Sequence, residues 1–491
     1  MKNVIFAIFA ALFVLVSCTK DFEEIDRPQT TSNIIDPGPL FTRALVAGSG
    51  LSVGIWQWMH QISGSVYAQH FANIQVGPNF TSDNYEPRAW DAVWNWYYAQ
   101  SSFAPMHYTF HVINLSRELQ NPITEAIARI WMVYLIQQVT DMYGDIPVFE
   151  AFRVIRPAFD PQKEIYLHIL EELDQSVKAI KKFRNAGYPT FGRADVLYQG
   201  NLDSWIAFAN TMLMRVALRA SNTAEFNSSI RPYLSALVVS ETMVNHTQTA
   251  RIIPDPVGPT YHVKNPLVFV SAWHEVRLSK TLFDILALNG DPRLQVFAAP
   301  NAAGEYVGLP NGQPHSLLAE LRDSHFRPNF CNVGTFFLGQ NTPHFLVTYA
   351  ESCFLKAEAA HKGFISGSAQ AFYNEGITAS LIQLGITDPV IISNYLSGNA
   401  QFNPARALEQ IWTQRWIALF PNGHEAWSVV RQTGFPRMNQ PVYTFPGNQQ
   451  MPRRKPYPNS EMQSNSANYN AAVARMGGDS QYTRMWWDGG N

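Results

Sequence analysis

Residues 348–384 have the sequence TYAESCFLKAEAAHKGFISGSAQAFYNEGITASLIQL, which predicts two helices joined by a short turn. Small and apolar side chains recur there with alternating spacings of four and three, so they share one helical stripe. Gly363 and Gly367 break the first helix, and Ser368 is placed to cap the second. The stripe of the first helix consists of Leu346, Ala350, Cys353, Ala357 and Ala360.

The two predicted helices resemble one tetratricopeptide unit. Ala357 is followed twelve residues later by Ala369 and then by Tyr373, which is the order of small and aromatic residues in such a unit. A single unit cannot bury its apolar face alone, so neighbouring helix pairs are expected. Leu381 stands where a closing proline is usual, and an ordinary helical hairpin therefore fits the same residues.

Helices are predicted along most of the remaining chain. At several places an Asn or Asp stands directly before a Pro, which favours a helix start because the first side chain caps the helix and Pro fits its first position. Alternating strand patterns are few and short, so the sequence predicts a mostly α protein. Two loop-rich stretches, residues 252–343 and 434–459, interrupt it. The predicted helix starts are Asp36-Pro37, Asn121-Pro122, Asp160-Pro161, Asp388-Pro389 and Asn403-Pro404.

The composition is that of a folded protein with sparse charge. Of 491 residues, 15% are charged and 13% are aromatic, and the formal net charge is −2 at pH 7. A nucleic-acid-binding protein is expected to carry a basic excess, which this chain lacks, so no nucleic-acid partner is expected. Cys331 and Cys353 are the cysteines that remain after Cys18, and a disulfide between them is left open for an exported protein.

The N-terminus predicts an exported lipoprotein. Residues 1–17 begin with a basic residue, continue with a short apolar run and end in Leu-Val-Ser, as a signal peptide does. Cys18 follows directly and resembles the bacterial lipoprotein box, in which this cysteine is lipidated and becomes the mature N-terminus. Residues 18–32 then form a polar tether, and residues 33–491 form a single helical domain. An ordinary secretory signal with a chance cysteine is the alternative.

Three patterns suggest catalysis, and a structural role is the better interpretation of each. Gly50-Leu-Ser-Val-Gly54 has the form of a hydrolase nucleophile elbow, but no strand pattern precedes it. His107 and His111 lie one helical turn apart without the Glu of a zinc protease. Asp141 and Asp145 flank a predicted turn and are the pair that a glycoside hydrolase would use. No catalytic residue, metal ligand or cofactor is predicted.

Loop-borne aromatic residues are the best candidates for ligand contact. A flat aromatic face can stack on the apolar C–H face of a sugar ring, while neighbouring polar side chains bond the sugar hydroxyls. We expect the site where the loop of residues 80–90 meets the loop-rich region 255–310, because loops on a rigid scaffold commonly carry binding. Plain packing within the loops is the alternative for each residue. The predicted ligand-binding residues are Phe80, Asp83, Asn84, Tyr85, Trp90, Tyr261, Trp273 and Tyr306.

A series of short segments occurs in a characteristic order between residues 32 and 487. The segments are Tyr143-Gly-Asp-Ile-Pro147, Asn289-Gly-Asp-Pro-Arg-Leu294, residues 349–359, Asn374-Glu-Gly-Ile377, Gln414-Arg-Trp-Ile-Ala-Leu419, Gly423-His-Glu-Ala-Trp427, Arg431-Gln-Thr-Gly-Phe-Pro436 and Arg454-Lys-Pro-Tyr-Pro458. With the lipoprotein start, they resemble the SusD/RagB family of nutrient-binding outer-membrane lipoproteins. The chain is most similar to the starch-binding-associated branch of that family.

The resemblance implies a SusD-like fold, in which tetratricopeptide-like helix pairs pack against a loop-rich half. It also implies a lipid-anchored protein on the outer face of the outer membrane that binds oligosaccharides. Such a protein delivers them to a SusC-type TonB-dependent transporter barrel, over which it acts as a hinged lid. Some family members take peptides, so a peptide-binding protein is the first alternative. A surface glycoside hydrolase and an adhesion lipoprotein are the others.

Overall fold

The computed structural model describes residues 35–75, 80, 82–88, 91–98, 104–255, 263–314 and 329–490. The predicted signal peptide, Cys18 and the whole predicted tether of residues 18–32 lie outside these residues. Trp90 and Tyr261, two of the predicted ligand-binding residues, also lie outside them. Residues Gly38–Asn491 belong to one compact unit. Within the described chain, no helix combines the length and apolar character needed to cross a membrane.

Helices make up most of the first half of the described chain. A π-helical segment, Gln57–Gly64, joins α2 to α3, and a second π-helical segment, Phe226–Ile230, precedes α9. The α-helices are α1 Gly38–Gly48, α2 Val53–Trp56, α3 Ser65–Tyr67, α4 Asp91–Tyr98, α5 Pro105–Glu118, α6 Pro122–Tyr143, α7 Gln162–Phe183, α8 Leu202–Arg219 and α9 Arg231–Ala236.

The second half is also helical, with loops between its first elements. In both halves of the described chain, short 3₁₀ turns occur outside the α-helices. They lie at Ser82–Asn84, Gly192–Ala194, Val239–Glu241, His246–Gln248, Thr335–Leu338, Pro404–Arg406 and Trp486–Asp488. The α-helices are α10 Pro266–Ala272, α11 Lys280–Leu288, α12 Leu294–Phe297, α13 Tyr349–His361, α14 Ala369–Gln383, α15 Pro389–Ser397, α16 Ala407–Ala418, α17 Gly423–Thr433, α18 Asn459–Ser464 and α19 Ser466–Met476.

The strands of the described chain are short and pair in antiparallel twos. β1 Phe71–Asn73 pairs with β3 Val276–Leu278, β2 Ala250–Ile252 with β6 His344–Val347, and β4 Ala298–Ala299 with β5 Asn332–Val333. These pairs tie distant segments of the chain together. In particular, the β1–β3 pair joins the segment before residue 80 to the loop-rich region after residue 263.

The helix starts depend on local caps, and most follow the sequence prediction. The Asn121 side chain accepts hydrogen bonds from Ile123 N at 3.0 Å and Thr124 N at 3.2 Å, and so caps α6. Asp388 and Asn403 cap their elements in the same way. The prediction for Asp160 is wrong. Its carboxylate accepts from the backbone N–H groups of Val148 and Phe149 instead, which holds the preceding loop.

Helices α13 and α14 form the predicted packed pair. Ser368 Oγ accepts a hydrogen bond from Ala371 N at 3.2 Å and caps α14 as expected. Cys353 and Ala357 are fully buried on the inner stripe of α13. The prediction that Leu346 begins this helical stripe is wrong, because Leu346 lies in strand β6 and Thr348 caps α13 after it. The two helices approach closely at Gly376, where an added Cβ would lie 2.7 Å from the Phe354 ring. The prediction of a mostly α fold built from helix pairs is confirmed.

Two glycines permit another close contact, between the π-helical segment and α17. An added Cβ on Gly64 would lie 2.6 Å from the backbone of Gly423, and one on Gly423 would lie 2.2 Å from Ser65 N. Backbone atoms cannot move aside as a flexible side chain can. The start of α17 is therefore fixed against the segment that leads through α3 into β1.

A network of buried charges connects five of the helices. Arg215 of α8 makes a two-point contact with Glu351 of α13, with N–O distances of 3.0 and 2.5 Å. Arg415 of α16 donates to Glu351 at 2.9 Å and to Glu425 of α17 at 2.8 Å. Arg219 of α8 donates to Glu425 as well. These side chains are almost completely excluded from solvent.

Asp141 of α6 completes the charge balance of this network. It accepts from Arg219, from the Trp487 indole at 3.0 Å and from the Tyr166 hydroxyl. Burial alone would raise the pKa of the Glu425 carboxyl, but the neighbouring positive charges of three arginines outweigh it and lower this pKa. The Glu425 carboxylate therefore remains ionised beside its cations. A buried charge is tolerated only when it is paired in this way.

Removing one charge from the network should destabilise the fold. We expect Glu425→Gln to lower the free energy of unfolding by about 3–5 kcal/mol, because it leaves buried arginine charge without its partner. Glu409→Gln is the matched control on α16, where Glu409 pairs with Arg406 at the surface. Its cost should stay below about 1 kcal/mol. Urea unfolding measures both, and equal costs would contradict the buried-network assignment.

Candidate functional site

The buried Asp83 carboxylate contacts the last residue of β1. Asp83 Oδ2 accepts a hydrogen bond from Asn73 N at 3.1 Å, and Asn73 Nδ2 donates to the Phe80 carbonyl at 3.2 Å. Burial raises the pKa of Asp83 to about 6, although the backbone N–H groups that it binds, including that of Gly312, act in the opposite direction. Asp83 therefore holds the 82–88 segment against the end of β1.

The neighbouring Asn84 ties three loops together. Its Nδ2 donates to the Gln313 carbonyl at 3.1 Å and lies 3.4 Å from the Tyr443 carbonyl. In addition, the Phe445 amide donates to the Asn84 carbonyl at 2.7 Å. The segment 441–445 is therefore held against the 82–88 loop and the 310–313 turn. In sequence, it lies more than 350 residues after the 82–88 loop.

A glycine permits the closest part of this junction. Gly312 has a φ of +76°, and an added Cβ would lie 2.4 Å from Pro441 Cβ. The Tyr443 amide donates to the Gly312 carbonyl at 2.8 Å. Any larger residue would separate the 441–445 segment from the turn beneath it.

Two non-glycine residues near the junction adopt left-handed backbone conformations. Tyr85 has a φ of +61°, and its carbonyl accepts from Gln481 Nε2 at 2.7 Å. Gln69 has a φ of +52°, and its side chain bonds both the amide and the carbonyl of Asn439. Such conformations persist only where the surroundings hold them, and they concentrate at functional sites. The loops are therefore held rigidly by their contacts.

Three aromatic side chains project from these loops into solvent. Trp273 is 47% exposed, Tyr443 is 41% exposed and Phe445 is 38% exposed. The Trp273 carbonyl accepts from Gln75 Nε2 at 2.7 Å, so Trp273 lies beside the chain that leaves β1. Phe80, half-buried, lies further along the same loop. We call this area the aromatic loop surface, formed by residues 73–75, 80, 82–88, 273–275, 310–313 and 441–445.

The structure separates the predicted ligand-binding residues into groups. Phe80 and Trp273 lie on the aromatic loop surface, whereas Asp83, Asn84 and Tyr85 are buried beneath it. The Asp83 carboxylate and the Asn84 Nδ2 group are bonded to backbone groups of the protein. Tyr306 is half-buried beside Val307, whose amide donates to the Cys331 sulfur at 3.0 Å. Ligand binding by any of the eight residues stays a prediction.

Tyr443 and Phe445 were missed by the sequence analysis. They alternate with other residues in the segment Pro441-Val-Tyr-Thr-Phe-Pro446, within the loop-rich stretch 434–459. Aromatic residues enclosed between prolines in a loop were the available signal. Nothing in the sequence placed this segment beside Asn84.

Asp141 and Asp145, the paired acids that a glycoside hydrolase would use, are buried and bonded to protein donors. Asp141 belongs to the buried charge network and is fully excluded from solvent. Asp145 is 4% exposed, and its carboxylate accepts from Gln162 N at 2.7 Å and from Arg475 Nε at 2.6 Å. Both carboxylates are satisfied by protein donors and present no open face to a substrate.

The other catalytic patterns also have structural explanations. The segment Gly50–Gly54 follows helix α1 and begins α2, so no strand precedes Ser52 as a nucleophile elbow requires. His107 and His111 lie one turn apart on α5, with their Nε2 atoms 3.1 Å apart. Over the described residues, no cluster of three or more His, Cys, Asp or Glu is arranged around a metal position. Cys331 and Cys353 are both buried free thiols, so they do not form a disulfide.

A buried histidine should make the fold sensitive to acid. His70 is fully buried against Trp416 and Phe420, and its Nε2 lies 3.1 Å from the Trp416 carbonyl. Burial lowers the pKa of His70 to about 3, although the bond to Trp416 acts in the opposite direction. The unfolded chain, with a histidine pKa of about 6.5, binds more protons below that pH. Stability is therefore present above pH 6.5 and is lost as the pH falls towards 3.

We expect His70 to account for about 2 kcal/mol of the stability lost between pH 7 and pH 5. In His70→Gln, which keeps a donor and cannot gain charge, this part of the pH dependence should disappear. His361→Gln, an exposed control on α13, should follow the wild-type pH dependence. Urea unfolding at both pH values is the measurement. An unchanged pH dependence in His70→Gln would rule out the assignment.

Comparison with known proteins agrees with this fold. The SusD-like family model, described as "Starch-binding associating with outer membrane", matches residues 29–458. Among solved structures, a chitin-binding protein is 28% identical with a TM-score of 0.78, and the match covers 92% of this chain and all of that one. No relative was found among curated proteins.

Two further structures have the same fold at lower identity. A chitin-binding SusD homolog from Flavobacterium johnsoniae is 23% identical with a TM-score of 0.76, over 92% of this chain and 98% of its own. A SusD homolog from Bacteroides thetaiotaomicron is 23% identical with a TM-score of 0.80, over 92% of this chain and 99% of its own. Since the family model covers most of the chain, the chain belongs to the SusD-like family of starch-binding, outer-membrane-associated proteins.

Proposed function

We propose that this protein is a cell-surface lipoprotein that binds oligosaccharide nutrients on the aromatic loop surface without transforming them. The observation that carries the proposal is the set of exposed aromatic side chains, Trp273, Tyr443 and Phe445, on a rigid frame of buried hydrogen bonds. Exposed aromatic groups on loops that a rigid scaffold holds in place are available for contact with a ligand. They are suited to a ligand that offers flat apolar faces and many hydroxyl groups.

Chitin-type oligosaccharides are the ligand class that we propose to test first. The solved relative at 28% identity is described as a chitin-binding protein, and its match extends over nearly the whole chain. Sugars of this class present the apolar ring faces on which aromatic side chains stack. Starch-type oligosaccharides are the comparison ligand, because the family description names starch.

Binding without catalysis is supported by the burial of the candidate catalytic acids. Asp141 and Asp145, the pair that a hydrolase would use, are buried and bonded to protein donors. Glycosidases need one carboxylic acid and one carboxylate facing the scissile bond. Of the acids on the aromatic loop surface, Asp83 and Glu275 are buried and accept hydrogen bonds from protein donors, and Glu86 is half-buried.

The proposal includes a lipid anchor and a transport partner. Residues 1–17 act as the signal peptide, Cys18 carries the lipid, residues 18–32 form the tether, and residues 33–491 form the binding domain. The protein lies on the outer face of the outer membrane and delivers its ligand to a SusC-type TonB-dependent transporter barrel. The support is the lipoprotein-type N-terminal sequence and membership of a family described as associating with the outer membrane.

The aromatic residues give a direct test of the binding surface. We expect Trp273→Ala and Tyr443→Ala each to weaken binding of chitin hexasaccharide about tenfold, because one stacked aromatic contributes on the order of 1–2 kcal/mol. Both side chains are substantially exposed, so the melting temperature should change little. Tyr188→Ala removes a similarly exposed aromatic from a different loop and should leave affinity unchanged. Isothermal titration calorimetry provides the affinities.

The same titrations separate the alternative functions. Release of shorter sugars during incubation would show a hydrolase and contradict binding alone. Binding of an unstructured peptide panel, with no affinity for either glycan, would favour the peptide-binding alternative. Failure of both ligand classes to bind would favour an adhesion lipoprotein.

Lipid attachment is tested by one substitution. We expect Cys18→Ser to move the protein from the membrane fraction to the soluble fraction, because each buried methylene of an acyl chain contributes about 0.8 kcal/mol to membrane binding. Cys353→Ser, at a buried position inside α13, is the control for loss of a thiol and should stay with membranes. Retention of Cys18→Ser in membranes of cells that lack the transporter would argue against Cys18 as the anchor.

A further inference from the structure

Two histidines on the outer side of α5 face each other in a fixed geometry. His107 and His111 are one helical turn apart, with perpendicular rings whose centroids are 4.5 Å apart. Their Nε2 atoms are separated by 3.1 Å. His111 is exposed and His107 is partly exposed, so ions in solvent can reach the pair.

This separation matches the distance between two ligands of one metal ion. Metal–nitrogen bonds to imidazole are about 2.0–2.1 Å long, so a bond angle between 90° and 109° places the two nitrogens about 2.9–3.4 Å apart. The value in this chain falls inside that interval. Spacing of i and i+4 on a helix places both imidazoles on one face, as in zinc-binding helices.

We propose that His107 and His111 chelate a divalent transition ion of the Zn²⁺, Ni²⁺ or Cu²⁺ class. Imidazole nitrogen suits these ions, whereas Ca²⁺ and Mg²⁺ prefer oxygen ligands. Without metal, the two Nε2 atoms share one hydrogen, and the ion takes the place of that hydrogen bond. A small rotation of each ring about χ2, a torsion with broad minima, is enough to direct both lone pairs at the ion.

The surroundings leave the remaining coordination positions open. The His107 ring lies 5.5 Å from the Phe152 ring and the His111 ring lies 5.7 Å from the Phe110 ring, so apolar groups flank the pair. Phe110 and Phe152 also line a cavity of about 230 Å³ between α5, α6 and α7. Neither histidine lines this cavity, so water would complete the coordination sphere.

One charge in the area opposes a cation. The Arg153 guanidinium lies 5.9 Å from the centroid of the Phe110 ring, on the cavity side. A positive charge on this flank repels a divalent ion. Arg153→Ala should therefore bind the ion more tightly than wild type, and a role of the histidines in packing alone would not predict this.

Calorimetric titration of Ni²⁺ into the full-length protein tests the proposal. The protein is purified in mild detergent without a polyhistidine tag, in a non-chelating buffer at pH 7.5. We expect one Ni²⁺ per chain, and His107→Gln and His111→Gln should each weaken binding at least tenfold. His361→Gln, which removes another exposed histidine, is the control and should bind as wild type does.

Either of two results would overturn the assignment. One is the absence of a one-to-one binding event in the wild type. The other is wild-type affinity in His107→Gln or His111→Gln. Melting temperatures of the variants show that each remains folded, which both partly exposed positions allow. Glycan affinity is measured on the same samples, so failure of this proposal is separate from failure of the proposed function.

Discussion

The buried charge network is the constraint on which the rest of the structure depends. Its cations come from α8 and α16, and its carboxylates come from α6, α13 and α17. Each carboxylate must lie beside an arginine, because an unpaired buried charge is strongly destabilising. The network therefore decides which helices are neighbours, beyond what apolar packing specifies. Hydrophobic contact alone tolerates many arrangements of similar helices, whereas ion pairs in a dry interior tolerate few.

Backbone contacts connect the buried charge network to the aromatic loop surface. Glu425 fixes α17, and Gly423 at the start of α17 touches the backbone at Gly64 and Ser65. Six residues later the chain enters β1, whose last residue, Asn73, bonds the loop of residues 80–88. The exposed aromatics are thus attached to the core by a short series of rigid contacts. Binding by a preorganised surface loses less entropy than binding by flexible loops.

Local features of the sequence predicted the local features of the fold. The small-residue stripe from Ala350 to Ala357 and the caps Asn121 and Ser368 depend on neighbours within one or two helical turns, and the structure contains them. Asp160 shows the limit, since it stands before a Pro as a cap does but bonds a loop that the chain folding brings near it. A sequence motif cannot specify which of two nearby sets of donors will reach a carboxylate.

The candidate site was less accessible to prediction than the fold. Phe80 and Trp273 were predicted from their place in loops, and both lie on the aromatic loop surface. Asn84 was expected to meet ligand, but its amide bonds backbone carbonyls of segments hundreds of residues away. The contact between Asn84 Nδ2 and the Tyr443 carbonyl also brings Tyr443 to the aromatic loop surface. Pairing of a side chain with a distant backbone group leaves no periodic trace in the sequence.

Hydrogen–deuterium exchange of the full-length protein, with and without chitin hexasaccharide, tests the central claim that glycan binds on the aromatic loop surface. It requires no substitution and reports on every loop together. The account predicts slower amide exchange at residues 82–88, 310–313 and 441–445 when the sugar is present, with little change in the buried helices. Slower exchange confined to the cavity side, at residues 106–117 and 148–153, with the three loops unchanged, would contradict it.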